Sequence, residues 1–401
     1  MSDILSQGRD REPRPWRGRL IVLAVVVALV AGLILTHLPG HRTARSHQPP
    51  APVAAGPDGI TGPTLPWAAS VRLPVAAEHP ALLSPAAGRL QLIGGLPANR
   101  AGYQFTRVGG GWAIQAVAER AVPRAVCDAC AGAPRPVYFL PERGRSASLA
   151  APADAVAPAA TGQAMWLTTY PPGVSLQLAS GTAREVGPAG RLLRAAVRLP
   201  AGFMIVQGTV RGLLLAPVAP RPGASTDELW NPATGTVTDP AGPAGPSGRA
   251  LSAAVIAASA TEIAVTPACA GSCRVDIADL AAGRSAVVYL APGSSVANAA
   301  FSPDGRYLAL QVNTAPGGAD GASGAALEVV SVATAHLAAV PDTSLSSNAL
   351  IGFGWPPGSD RLIAELSFTT KVQLASWLPG SPRLAVAVVA PGTGAGAIVT
   401  G

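Results

Sequence analysis

Two cysteine pairs offer the clearest chemistry in this sequence. Cys127-Asp128-Ala129-Cys130 and Cys269-Ala270-Gly271-Ser272-Cys273 contain all four cysteines of the chain. Brought together, four sulfurs at this spacing could close a tetrahedral zinc site. A lone CxxC could exchange disulfides, but its thiolate normally needs a helix N-terminus, and none is apparent around Cys127. Oxidised in place, each pair forms a local crosslink. Local disulfides, Cys127 with Cys130 and Cys269 with Cys273, are the expected outcome if the domain lies in an oxidising compartment. Each would contribute about 2 kcal/mol through loop closure, so they pin loops more than they hold a fold.

Other reactive groups are sparse. Beyond residue 70 the only histidines are His79 and His336, and there is no GxSxG elbow, HExxH helix or Walker loop. Asp227-Glu228, Asp276 and Asp279 lack a visible partner, and Asp304 reads as a turn former in Ser302-Pro303-Asp304-Gly305. No catalytic residue, metal ligand or cofactor site is assigned.

The elements that position these residues begin with a membrane segment. Leu20 to Leu35 carries no polar side chain, and extension to Leu38 gives a helix of about 28 Å, close to the roughly 30 Å hydrocarbon core. Its Leu, Ile and Val residues supply on the order of −4 to −7 kcal/mol for insertion. Arg9, Arg11, Arg14, Arg17 and Arg19 precede it, whereas only Arg42 and Arg45 follow closely. The positive-inside rule then puts residues 1–19 in the cytoplasm, a single-pass helix over 20–38, and the rest of the chain outside. A cleaved signal peptide is the alternative, but the apolar run is long for one and Val53-Ala54-Ala55 is too distant to serve as its cleavage site. Residues 39–70, dense in Pro, Ala and Gly, read as a disordered tether.

The pI near 9.8 suggests nucleic acid, yet residues 71–401 hold 22 basic and 18 acidic groups without a basic stripe. Such a balance gives little counterion-release affinity, so nucleic acid is not an expected partner. Gly 45, Pro 40 and only 13% charged residues argue for many short strands joined by turns.

From about Val71 two half-units alternate with a period near 45 residues. One half is a hairpin such as Thr106 to Val117, Phe301 to Val312 or Gly354 to Leu366. The other is an apolar strand, a tight turn and another strand, as in Leu82 to Gly94, Val174 to Pro188, Leu229 to Pro240, Val275 to Leu290 and Val329 to Pro341. A four-stranded unit repeated radially is the architecture this period implies. The expected fold is therefore all-β, a β-propeller over 71–401 with seven or six blades. Val71 to Val75 and Ala397 to Thr400 are candidates for its closing strand.

Phe301-Ser302-Pro303-Asp304-Gly305-Arg306-Tyr307 resembles the hairpin motif of bacterial TolB-type and WD-repeat-like propellers, and Trp230-Asn231-Pro232-Ala233-Thr234-Gly235 resembles their WD-x-x-T-G turn. The resemblance spans about 320 residues and implies the fold without an activity. In such a fold both cysteine loops, Ala216 to Asp227 and Ala315 to Ala326 emerge on one face. That face is the expected binding surface for a protein or cell-envelope polymer. The competing expectation is an extracytoplasmic glycan hydrolase or lyase, which needs two or more carboxylates with an Arg or His in the central channel.

Overall fold

The computed structural model describes residues 41–43, 59–60, 64–117, 131–161, 163–218, 227–240, 253–267, 273–314, 324–343, 345–346, 350–368, 371–389 and 398–399. The helix expected over 20–38 lies outside these residues, as do Cys127, Cys130 and Cys269. Among the described residues no helix is long and apolar enough to cross a membrane.

The fold is a seven-bladed, all-β propeller. Six blades are antiparallel sheets of four strands in chain order. Blade 2 is β5 (Tyr103–Val108), β6 (Gly111–Ala116), β7 (Arg135–Pro141) and β8 (Ser148–Ala153). Blade 3 is β9 (Ala155–Pro158), β10 (Met165–Thr169), β11 (Thr182–Val186) and β12 (Val197–Arg198). Blade 4 comprises β13 (Phe203–Thr209), β14 (Gly212–Pro217), β15 (Glu228–Trp230) and β16 (Val237–Thr238). Blade 5 comprises β17 (Ala253–Ala258), β18 (Glu262–Pro267), β19 (Arg274–Asp279) and β20 (Arg284–Tyr289). In blade 6, β21 (Ser294–Phe301), β22 (Tyr307–Thr314), β23 (Gly324–Ser331) and β24 (His336–Ala339) follow, with β25 (Leu345–Ser346) paired to the end of β23. Blade 7 is β26 (Leu350–Gly354), β27 (Leu362–Ser367), β28 (Val372–Trp377) and β29 (Ala385–Val388).

Blade 1 closes the ring. It holds β2 (Leu73–Val75), β3 (Ala81–Ser84) and β4 (Arg89–Leu92), and its inner edge is completed from the other end of the chain. Ile398 pairs with Val75, and Val399 N–H donates to the Pro74 carbonyl at 2.8 Å. Both candidate closing segments thus belong to one blade. Ile398 packs with Leu73, Val75, Ile363 and Leu374.

Alternation along each strand explains why the blades stack. On β23, Leu327 and Val329 face blade 7 and pack with Phe353, Leu362 and Ala364, while Val330 faces blade 5 and packs with Val275 and Ile277. Each sheet is apolar on both faces, so each is stable only between neighbours. Four innermost strands share a further device. The register slips by one residue between Ile205 and Gln207, Val255 and Ala257, Val296 and Asn298, and Leu350 and Gly352. An extra residue bends and twists a strand, and here it recurs at matching places where the first strands surround the centre.

Two expectations change in detail. Val174 to Gly181 is a turn and loop, not the strand read from its Val-x-Leu-x-Leu alternation; Leu178 N–H closes back onto the Ser175 carbonyl and Leu178 is 77% exposed. The tether region also has docked pieces. β1 (His41–Thr43) runs parallel to β20, the Ile60 amide exchanges hydrogen bonds with the Gln373 side chain, and Leu65 pairs with Ala385.

Candidate functional site

Each blade sends its first-to-second and third-to-fourth strand turns to one end of the ring, and its second-to-third loops and blade-to-blade connections to the other. The first end is compact. Ser302 Oγ donates to Asp304 Oδ1 at 2.7 Å and accepts from the Tyr307 amide at 2.9 Å, while Arg306 pairs with the same aspartate. Gly305 supplies the left-handed φ of 70° that the turn requires. Partial burial acts to raise the Asp304 carboxyl, but the hydrogen bonds from Ser302 and Arg306 outweigh it and hold the group below the ordinary carboxylate range. Asp304 is therefore a turn residue, as expected from the sequence. The Trp230 to Gly235 motif forms the third-to-fourth strand turn of blade 4, with Asn231 Oδ1 accepting from Ala233 N–H at 2.9 Å and Gly235 at φ 70°.

Arg107, near the end of β5, is the one charged residue on the innermost strands β5, β9, β13, β17, β21 and β26. Its Nη1 reaches blades 6 and 7, donating to the Phe301 carbonyl at 3.1 Å and the Trp355 carbonyl at 2.9 Å. Trp355 is fully buried, donates from its indole to the Ala300 carbonyl at 3.1 Å and stacks on Tyr307 at 6.0 Å between ring centres. Desolvation lowers the Arg107 guanidinium to about 10. No Asp, Glu or His lies on those six strands, so they supply no acid–base pair.

The opposite end carries the elaboration. Chain leaves β6 at Ala116 and re-enters β7 at Arg135, and comparable connections separate β14 from β15 and β22 from β23. A polar network links blades 2, 3 and 4 at this end. Arg135 Nη1 donates to the Ala116 carbonyl at 3.1 Å, and its Nη2 donates to Gln115 Oε1 at 3.3 Å and the Asp154 carbonyl at 3.1 Å. Gln115 Nε2 donates to the Ala153 carbonyl at 2.7 Å, Asp154 Oδ2 accepts the Tyr170 amide at 2.7 Å, and Tyr170 Oη donates to the Phe203 carbonyl at 2.8 Å. Burial, then the Asp154 charge, pushes the Tyr170 phenol up to about 12. The phenol stays protonated as a donor, and three blades are tied together at this end.

Of the four cysteines, Cys273 is described. It is buried at the start of β19, its carbonyl accepts Leu290 N–H at 2.9 Å, and its sulfur is disulfide-bonded. Cys127 and Cys130 belong in sequence to the connection between β6 and β7, and Cys269 to that between β18 and β19, all three outside the described residues. The blade 2 connection returns through Ala131, which exchanges backbone hydrogen bonds with Gly173 and Val174 of blade 3. Around it, Val117, Val174 and Leu178 are exposed. Among the described residues no cluster of His, Cys, Asp and Glu could hold a metal ion.

Arg107 and the Arg135–Asp154–Tyr170 network were not singled out by sequence reasoning. Arg107 had one available signal, a lone charge in an otherwise uncharged first strand, but its partners come from blades 6 and 7.

No family model matches the chain, and no curated protein matches it. Solved structures match at the level of fold. An acylaminoacyl peptidase in complex with Z-Gly-Gly-Phe-chloromethyl ketone is 10% identical over 79% of this chain, with a TM-score of 0.50. A structure from work on two prolyl endopeptidases is 12% identical over 82%, also at 0.50. The chain spans about half the length of either, 49% and 50%. The β-propeller domain of the Trilobed protease from Pyrococcus furiosus is 8% identical, with 78% of this chain and 89% of that one covered and a TM-score of 0.47.

Proposed function

We propose that the chain is a membrane-anchored recognition or scaffold protein whose propeller lies outside the cytoplasm and binds a protein or envelope polymer through the loop-bearing end of the ring. The observation that carries this reading is the asymmetry between the ends. One has mostly short, internally bonded turns, the ten residues between β11 and β12 excepted; the other has the longest connection, from β6 to β7, with Val117, Val174 and Leu178 exposed and a hydrogen-bonded platform across blades 2 to 4. Loops on a rigid scaffold are where recognition usually resides, and exposed apolar groups in a polar setting mark contact surfaces.

The anchor is the apolar segment 20–38, with the N-terminus cytoplasmic. In that compartment Cys127 pairs with Cys130 and Cys269 with Cys273. The competing glycan hydrolase or lyase needs paired carboxylates in the channel, and the six innermost strands have none to offer. The peptidases sharing the fold support the propeller and nothing of its activity.

The test is photocrosslinking in intact cells from a photoreactive residue at Leu178, compared with one at Ala233 on the opposite end. A discrete adduct from Leu178 and none from Ala233 is expected. Equal labelling from both positions, or a discrete adduct from Ala233 only, would refute the assignment of this face.

A further inference from the structure

A second site emerges at the other end of the ring, independent of the loop-bearing face. Arg107 has five N–H donors, and both of its hydrogen bonds come from Nη1. The Nε and Nη2 edge is left, where two parallel N–H bonds match the two oxygens of a carboxylate. None of the ion pairs among the described residues includes Arg107.

Of the acids at this end, Asp304 is held by Ser302 and Arg306, Glu262 by Ser259 and Thr261, and Asp279 by Arg284; Glu142, against Gly358, and Asp360, in the β26–β27 turn, form no ion pair with Arg107. The two carbonyl bonds fix the guanidinium plane, so the free edge is pre-organised. Arg107 is only partly exposed, and a cation held there without a counterion is costly.

We propose that the Nε/Nη2 edge of Arg107 binds the carboxylate of a ligand entering from the end of the ring that carries the first-to-second strand turns. The surroundings suit a small acid or the terminal carboxylate of an extended peptide. The innermost strands that form the walls are otherwise uncharged, so recognition rests on the one bidentate pair and on whatever backbone edges the ligand can meet.

The experiment uses the full chain in detergent with 15Nε-labelled arginine, the Arg107 signal being assigned by its loss in Arg107→Lys. Acetate should shift the Arg107 Nε–H signal saturably, while equal chloride should leave it in place. Acetyl-trialanine with a free C-terminus, set against its C-terminal amide, separates the two sources. Tighter binding of the free acid than of acetate assigns a peptide terminus, and binding no tighter assigns a small acid.

Arg107→Lys keeps the charge but loses the fork, so it should weaken carboxylate binding at least about tenfold, read from the carboxylate-dependent rise in melting temperature. No shift at Arg107 up to about 50 mM acetate, an equal shift with chloride, or undiminished binding in Arg107→Lys would each overturn the proposal. If Arg107→Lys does not fold, Arg107→Gln supplies both the assignment and the binding comparison.

Discussion

Trp355 joins blades 6 and 7, and its replacement separates packing from hydrogen bonding. The side chain is fully buried among Leu327, Val329, Phe353 and Leu362, with its indole N–H on the Ala300 carbonyl at 3.1 Å. Trp355→Phe retains most of the ring and removes one donor, leaving a part-buried carbonyl without this partner, which costs about 1 kcal/mol, toward the low end of the range for an unpaired buried group. Trp355→Ala opens a cavity worth about 3–5 kcal/mol and deletes the stack on Tyr307, worth about 0.5–1.5 kcal/mol more. Against a typical total of about 5–15 kcal/mol, the alanine variant should lose a large share of its stability. Urea unfolding of the full chain in detergent, followed by circular dichroism and compared at equal slope, measures both. A double-mutant cycle with Tyr307→Ala should return a coupling of about 0.5–1.5 kcal/mol. If Trp355→Ala cost less than about 1 kcal/mol, or Phe cost as much as Ala, the joint between blades 6 and 7 would not be packed as described.

Three further outcomes follow. Ile398→Ala removes a side chain that is 5% exposed in the closing contact with Val75 and should cost about 2–5 kcal/mol in the same unfolding assay; a near-neutral result would mean that the ring closes elsewhere. Burial raises the Glu328 carboxyl above its ordinary value. Folding therefore favours its protonated form, and its contribution to stability, full below the unfolded-state value, is lost as pH rises through the folded one. Glu328→Gln should consequently stabilise more at pH 8 than at pH 4, and the reverse order in urea midpoints would contradict the burial argument. An alkaline phosphatase fused after Gly401 should be active, whereas activity confined to a cytoplasmic reporter at the same point would reverse the proposed topology.

Much of the ring was legible because its strands announce themselves locally. Phe301 to Val312 predicts a hairpin, and the turn sits between β21 and β22 with Asp304 and Gly305 at its tip. Val275 to Leu290 predicts β19 and β20, and Val329 to Pro341 predicts β23 and β24. Blade 3 was misplaced because Val174, Leu176 and Leu178 alternate like a strand, yet no neighbouring strand accepts them and the chain turns at Ser175 instead. What stayed hidden depends on contacts between distant segments. The closing segments Val71 to Val75 and Ala397 to Thr400 were legible only as alternatives, not as the pair Val75 and Ile398; the reach of Arg107 to Phe301 and Trp355 and the recurrent slip in four innermost strands leave no periodic trace. The choice between six and seven blades likewise needed the closing strand, since blade 1 alone supplies only three.

The placement of the domain and the order of its blades meet in the cysteines. Cys127 and Cys130 belong to blade 2, and Cys269 and Cys273 to blade 5, so loops three blades apart would have to approach to the roughly 4.4–6.8 Å Cα separation that a shared disulfide requires. Non-reducing peptide mapping of the full chain purified from its membrane is the direct test. Two local crosslinks, Cys127 with Cys130 and Cys269 with Cys273, and no free thiol are the predicted result. A bond from Cys127 or Cys130 to Cys269 or Cys273 would contradict the blade order, and four reduced thiols would contradict an extracytoplasmic domain.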